Sequence, residues 1–207
     1  MTDRIEKLTG IFSRFPGIGQ KQAKRFVYFL LSQNSSFIKE FLEEVSSIKK
    51  NIKTCQSCFK FFLENKISSD SKICQICKSP ERERRLMVVC RDIDLENMER
   101  SGSFKGKYFV LGGSLPILEK QPEKKIRVDS LIERVKKLLE DGLEEIILAM
   151  DFNPEGENTG EFVKKSLTPL SEKYKFKIST LGKGLSLGTE IEYSDPETIK
   201  NALINRH

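Results

Sequence analysis

The chain has 207 residues, 38% of them hydrophobic and 32% charged, with a formal net charge of +6. That balance excludes wholesale disorder, and no run approaches the ~18 consecutive apolar residues of a membrane span. Residues 1–85 carry 17 Lys and Arg against 9 Asp and Glu, while residues 86–207 carry 19 against 21, so the excess of positive charge lies in the first part. A basic N-terminal part suits either a polyanion partner or a solvated lysine-rich surface. Met1 to Gly10 holds no apolar signal core, so a cytoplasmic protein is expected.

Residues 1–53 read as helices. Ile5, Leu8, Ile11, Phe12 and Phe15 recur at helical spacing, followed by Ala23, Phe26, Val27, Leu30 and Leu31, and then by Phe37, Phe41, Leu42, Val45, Ile48 and Ile52. Between the first two runs stands Phe15-Pro16-Gly17-Ile18-Gly19. Pro16 ends a helix, Gly17 and Gly19 permit positive φ or close approach of another backbone, and Ile18 can tuck between the helices. The free amides that open the second helix make an anion site at the positive end of its dipole. Lys21, Lys24 and Arg25 lie one to two turns in, placed to flank a nucleic-acid backbone. This is the helix-hairpin-helix pattern, which holds phosphates without reading bases. A plain glycine turn between two helices is the bland alternative.

Residues 54–80 contain two C-x2-C pairs, Cys55/Cys58 and Cys74/Cys77, separated by fifteen residues. Four thiolates at about 2.3 Å complete a tetrahedral shell, so one structural Zn²⁺ per chain is expected, with no open position for catalysis. Two disulfides would instead need an oxidising compartment, of which nothing else in the sequence speaks. Phe59, Phe61 and Phe62 read as the apolar cover of the ribbon. Ser68 to Lys72 forms a polar insert between the knuckles.

From residue 86 the pattern alternates. Leu86–Cys90, Tyr108–Leu111, Ile146–Met150 and Phe176–Leu181 read as strands. Helices fit Leu95–Arg100, Asp129–Asp141, Gly160–Tyr174 (with Pro169 a possible break) and Pro196–Asn205. Alternation of this kind predicts a mostly parallel sheet covered on both faces. A loop, Asp151-Phe152-Asn153-Pro154-Glu155-Gly156-Glu157, follows the third strand, where α/β sheets keep their sites. Asp151, Glu155 and Glu157 could hold Mg²⁺, bind the basic surface of a partner, or favour the dipole of the next helix.

This loop resembles the D-x-D-x-x-G-E segment of Toprim domains, shared by topoisomerases and primases. Cys90 stands where that family ends its first strand with glutamate, and Asn153 replaces the second aspartate. Two Mg²⁺ ligands and the acid/base candidate are thereby lost. The only histidine, His207, is the last residue, so no Ser-His or Cys-His arrangement exists. An active Mg²⁺-dependent Toprim nuclease or topoisomerase-like enzyme is the alternative to a protein with no catalytic residues; an adaptor binding only proteins is a third reading.

The order of helix-hairpin-helix, four-cysteine ribbon and degenerate Toprim domain is similar to that of the RecR family of bacterial recombination mediators. Tyr108–Gly113, Ile147–Glu157 and the segment Gly184 to Tyr193 add to the likeness, with Ser186 and Thr189 departing from the family's tail pattern. The resemblance implies an α+β chain with a helix-hairpin-helix region over 1–53, a zinc ribbon over 54–80, a Toprim domain over 81–183 and an oligomer contact over 184–207. It also implies a non-enzymatic mediator that, with RecO and in some settings RecF, helps load RecA onto gapped DNA coated by single-strand-binding protein. Dimers and tetrameric rings around DNA belong to the same expectation, with Lys21 and Arg25 on the DNA-contacting positions.

Overall fold

The computed structural model describes residues 2–63, 72–182, 184, 185, 188 and 190–204. The insert at 68–71, Ser186, Leu187, Thr189, Asn205 and His207 lie outside the described residues. The chain divides into two compact units, Met1–Ile52 and Lys53–His207.

The first unit holds α1 (Thr2–Phe12), α2 (Gln20–Ser32) and α3 (Ser35–Asn51). Phe12, Ala23 and Val27 are buried between α1 and α2, with Ile5, Leu8, Ile18, Phe26 and Leu30 packed around them. Ile18 thus sits where its position in the turn predicts. Leu31, expected in this cluster, is 63% exposed instead. It falls about 100° around the helix from Leu30, beyond the buried stripe. Asn34 caps α3 by accepting from the Phe37 N–H at 2.9 Å. The apolar spacing of α3 makes a helix as expected, yet it buries none of its residues. Its ties to α2 include an edge-on Phe29–Phe37 ring contact at 5.9 Å.

From the unit boundary onward come β1 (Ile52–Thr54) and β2 (Phe61–Leu63), paired as a small sheet, and then the single turn α4 (Gln75–Lys78). The α/β part runs β3 (Arg85–Val89), α5 (Asp92–Ser101), β4 (Lys107–Val110), α6 (Pro122–Lys125), α7 (Val128–Glu140), β5 (Glu145–Ala149), α8 (Pro154–Tyr174) and β6 (Lys177–Thr180). A 3₁₀ turn at Ile191–Tyr193 and α9 (Pro196–Ile204) follow. The sheet order is β4-β3-β5-β6, parallel throughout, with Val88 opposite both Phe109 and Leu148.

Strand periodicity sorts the core into two layers. Leu86, Val88, Phe109, Ile146 and Leu148 face the side covered by α7 and α8, through Leu131, Val135, Leu138, Val163 and Leu167. Met87, Val89, Tyr108, Val110 and Ala149 face the other side, with Leu95 of α5 and Phe104. Two ribbon residues, Phe59 and Ile76, pack into that second layer. The ribbon is therefore part of the cover a parallel sheet requires.

The helix expected from Gly160 begins six residues earlier, at Pro154. Asn153 is its N-cap, its Oδ1 accepting from the Gly156 N–H at 2.8 Å, and Pro154 occupies the first turn, where its missing N–H costs nothing. The helix also runs through Pro169 without a break. Pro169 deprives the Lys165 carbonyl of a donor, but both residues lie on the exposed face, which lessens the cost.

Candidate functional site

The four cysteines converge. Their sulfur atoms all lie within 4.8 Å of one another, and the Cys58 and Cys74 Sγ atoms stand 3.6 Å apart. The edge of a tetrahedron of 2.3 Å metal–sulfur bonds is about 3.8 Å, so the set fits one zinc ion. In the first knuckle the Cys55 N–H donates to the Lys60 carbonyl and the Cys55 carbonyl accepts from the Phe59 N–H, both at 2.9 Å. That tight loop sets Phe59 at φ +63°, rare for a residue with a side chain. In the second knuckle the Cys74 N–H donates to Cys55 Sγ at 3.3 Å, an interaction that suits a thiolate. Hydrogen bonds from Cys58, Cys74 and Cys77 pull the Cys55 thiol far below its ordinary range, and the same sharing drives Cys58 far above it. A dication would take all four as thiolates and release their protons.

Phe59 ties this centre to the sheet. Its ring meets Phe109 edge-on at 5.4 Å and lies under the Arg127 guanidinium at 5.1 Å. Arg127 also donates to the Val110 carbonyl at 3.1 Å, and the Val110 N–H donates to the Cys58 carbonyl at 2.9 Å. A Cβ on Gly112 would come within 2.7 Å of Arg127, so glycine there makes room for the guanidinium. Phe62 packs on the cysteines as expected, whereas Phe61 is exposed and its N–H donates to Asp92 at 2.8 Å.

The hairpin between α1 and α2 is a β-turn. The Phe15 carbonyl accepts from the Ile18 N–H at 3.0 Å, Pro16 takes the second position, and Gly17 takes the third at φ +75°. Proline followed by glycine at positive φ is the signature of a type II turn. Gly19 adopts no such angle: it is the extended N-cap of α2, and a Cβ there would meet nothing within 4 Å. No side chain caps the first turn, and α2 contains no acid. Lys21, Lys24 and Arg25 are exposed at i, i+3 and i+4 of one face. Among the described residues no ion pair engages them. An uncapped helix start beside three unpaired cations is suited to phosphate.

The acids after β5 are arranged differently. Asp151 is paired with Arg91 at 2.9 Å, while Glu155 and Glu157 are exposed in the first turn of α8, where they favour its dipole. Gly156 allows the helix to start against Asp151, whose carbonyl oxygen would lie 2.1 Å from a Cβ there. Among the described residues the four cysteines are the only group of three or more His, Cys, Asp or Glu close enough to share a metal. Cys90 is buried against Met150, with Sγ and Sδ 3.4 Å apart; burial, then the charge of Asp151, pushes its thiol up to about 11. Arg127 carries no local signal in the sequence, and the contact of Gly112 with it carries none either, since only the fold brings them to Phe59.

A parallel four-stranded sheet with Asp151 past the end of β5 and Gly156-Glu157 opening the next helix defines a Toprim-domain protein, here bearing a four-cysteine ribbon. The Toprim domain family matches residues 84–181, and the family described as RecR, C-terminal, matches residues 184–207. The chain is 34% identical over 203 residues to Recombination protein RecR of Bacteroides fragilis, covering 98% of this chain and 92% of that one. It is 35% identical over 206 residues to Recombination protein RecR of Prochlorococcus marinus strain MIT 9312, covering 99% and 96%. The chain belongs to the RecR family, and its role is in recombinational repair.

Proposed function

We propose that this chain is a non-enzymatic mediator that grips DNA without reading its sequence, as a homo-oligomeric clamp of two or four copies. With RecO, and with RecF where it is used, the clamp helps load RecA onto gapped DNA coated by single-strand-binding protein. The observation that carries the reading is the hairpin: a type II turn delivers an uncapped, acid-free helix start flanked by the unpaired Lys21, Lys24 and Arg25. Gly17 shapes that turn and Gly19 leaves the approach open. Relatives of nearly the same length carry the name Recombination protein RecR.

The absence of catalysis is supported by Asp151 being engaged with Arg91 and by Cys90 occupying the end of the first Toprim strand as a protonated thiol. Glu155 and Glu157, turned outward at the start of α8, offer an acidic surface to a basic partner such as RecO. One structural Zn²⁺ held by Cys55, Cys58, Cys74 and Cys77 supplies rigidity and takes no part in chemistry.

The double variant Lys21→Glu/Arg25→Glu tests the clamp. Wild type is expected to bind DNA with affinity that falls steeply with salt, by about 0.9 in log–log slope for each phosphate neutralised. The variant should lose most low-salt binding while keeping its circular dichroism. Binding equal to wild type would overturn the assignment of the hairpin.

A further inference from the structure

Tyr28 stands at the C-terminal end of the cationic stripe of α2. Successive residues of a helix are about 100° apart, so Lys21, Lys24, Arg25 and Tyr28, at i, i+3, i+4 and i+7, form one stripe. The opposite stripe carries the buried Ala23 and Val27 with the half-buried Phe26 and Leu30. On the outward stripe Tyr28 is 54% exposed. Among the described residues its ring has no aromatic or cationic partner, unlike Phe29, which packs on Phe37.

An open aromatic ring among unpaired cations is the arrangement by which proteins take unpaired nucleotides. The cations track the phosphates and the ring stacks on a base, whose faces are accessible only when it is not paired within a duplex. We infer that Tyr28 is a base-stacking platform that makes this face select single-stranded over duplex DNA. The inference rests on the proposed DNA role of the hairpin and adds the preferred form of the ligand. A duplex would meet the same lysines and arginine but could offer Tyr28 only its sugar–phosphate rim. Charge complementarity commits the occupant to DNA, since α2 has no acid to receive a basic protein segment.

The test uses the full chain with a labelled oligo(dT) and a duplex of the same length, at low salt. Tyr28→Ala should weaken oligo(dT) binding by about tenfold, the loss expected for one stacked base, and duplex binding by less than about twofold. Tyr28→Phe should bind both like wild type. The chain contains no tryptophan, so Tyr28→Trp introduces a sole reporter, whose fluorescence should be quenched by oligo(dT) and much less by duplex. Equal losses on both DNAs, no loss on either, or equal quenching would overturn the inference. So would a changed molar mass of Tyr28→Ala in light scattering, which would place Tyr28 at a contact between copies. If Lys21→Glu/Arg25→Glu binds both DNAs like wild type, the clamp reading itself fails. If the cations matter and Tyr28 does not, only the stacking platform is lost.

Discussion

The two units of this chain reach stability by different means. In the second, a parallel sheet buries side chains on both faces, and even the four-cysteine ribbon contributes Phe59 and Ile76 to the core. In the first, the buried cluster is only Phe12, Ala23 and Val27, and α3 buries nothing. A helical unit of about fifty residues with so small a core is marginal alone and gains from whatever it binds. The contrast separates the work: the second unit holds its own shape, and the first spends its surface on charge and exposed rings.

Metal removal should break the second unit hardest. Structural zinc in small domains contributes on the order of 10 kcal/mol of binding free energy at neutral pH. Chelation or Cys58→Ser is expected to free the ribbon and, through Phe59, to loosen β4. Hydrogen exchange would show lost protection at residues 107–111 with little change in α1 and α2; a protected β4 would mean that the sheet does not depend on the ribbon.

Core truncation sharpens the same contrast. Leu131→Ala, at a fully buried site under the sheet, should cost about 2–5 kcal/mol in denaturant unfolding. Val45→Ala, on an α3 side chain that is 49% exposed, should change stability by less than about 0.5 kcal/mol. A large loss at Val45 in dilute protein would show α3 to be packed in solution.

The smallest effect is electrostatic. The Arg82 guanidinium, bonded to Glu99 through its two terminal nitrogens, holds that carboxyl below the usual glutamate range, while partial burial opposes it. A depressed folded-state value means the pair stabilises above the unfolded glutamate pKa of about 4.3 and stops doing so as pH falls through the folded value. Wild type should therefore lose stability below pH 4.3 more steeply than Glu99→Gln, measured as unfolding midpoints across acid pH. Parallel curves would deny the pair its role.

Much of this was legible where chemistry is local. The C-x2-C spacing located a cluster because each knuckle is a few residues long, and Pro16-Gly17 located a turn because proline and glycine both favour the two central positions of a tight turn. Strand positions followed from runs such as Leu86–Val89, which are apolar on both faces. The start of α8 differs from the sequence expectation for a physical reason: Asn153-Pro154-Glu155 has the composition of a loop, yet asparagine, proline and acid are also what a helix start demands. Leu31, Leu42 and Val45 carried helical periodicity but not burial, since spacing gives a face and not its neighbour. The partnership of Phe59, Arg127 and Gly112 joins three distant positions, so no local signal could have announced it.

The outer side of β4 would otherwise present unpaired backbone groups to solvent, and the Cys58 carbonyl meets the Val110 N–H there. Bare strand borders invite pairing with other chains. A metal held by Cys55, Cys58, Cys74 and Cys77 would fix that carbonyl and keep the Val110 donor paired, so metal-stripped protein is expected to aggregate faster than metal-loaded protein, as light scattering over time would read.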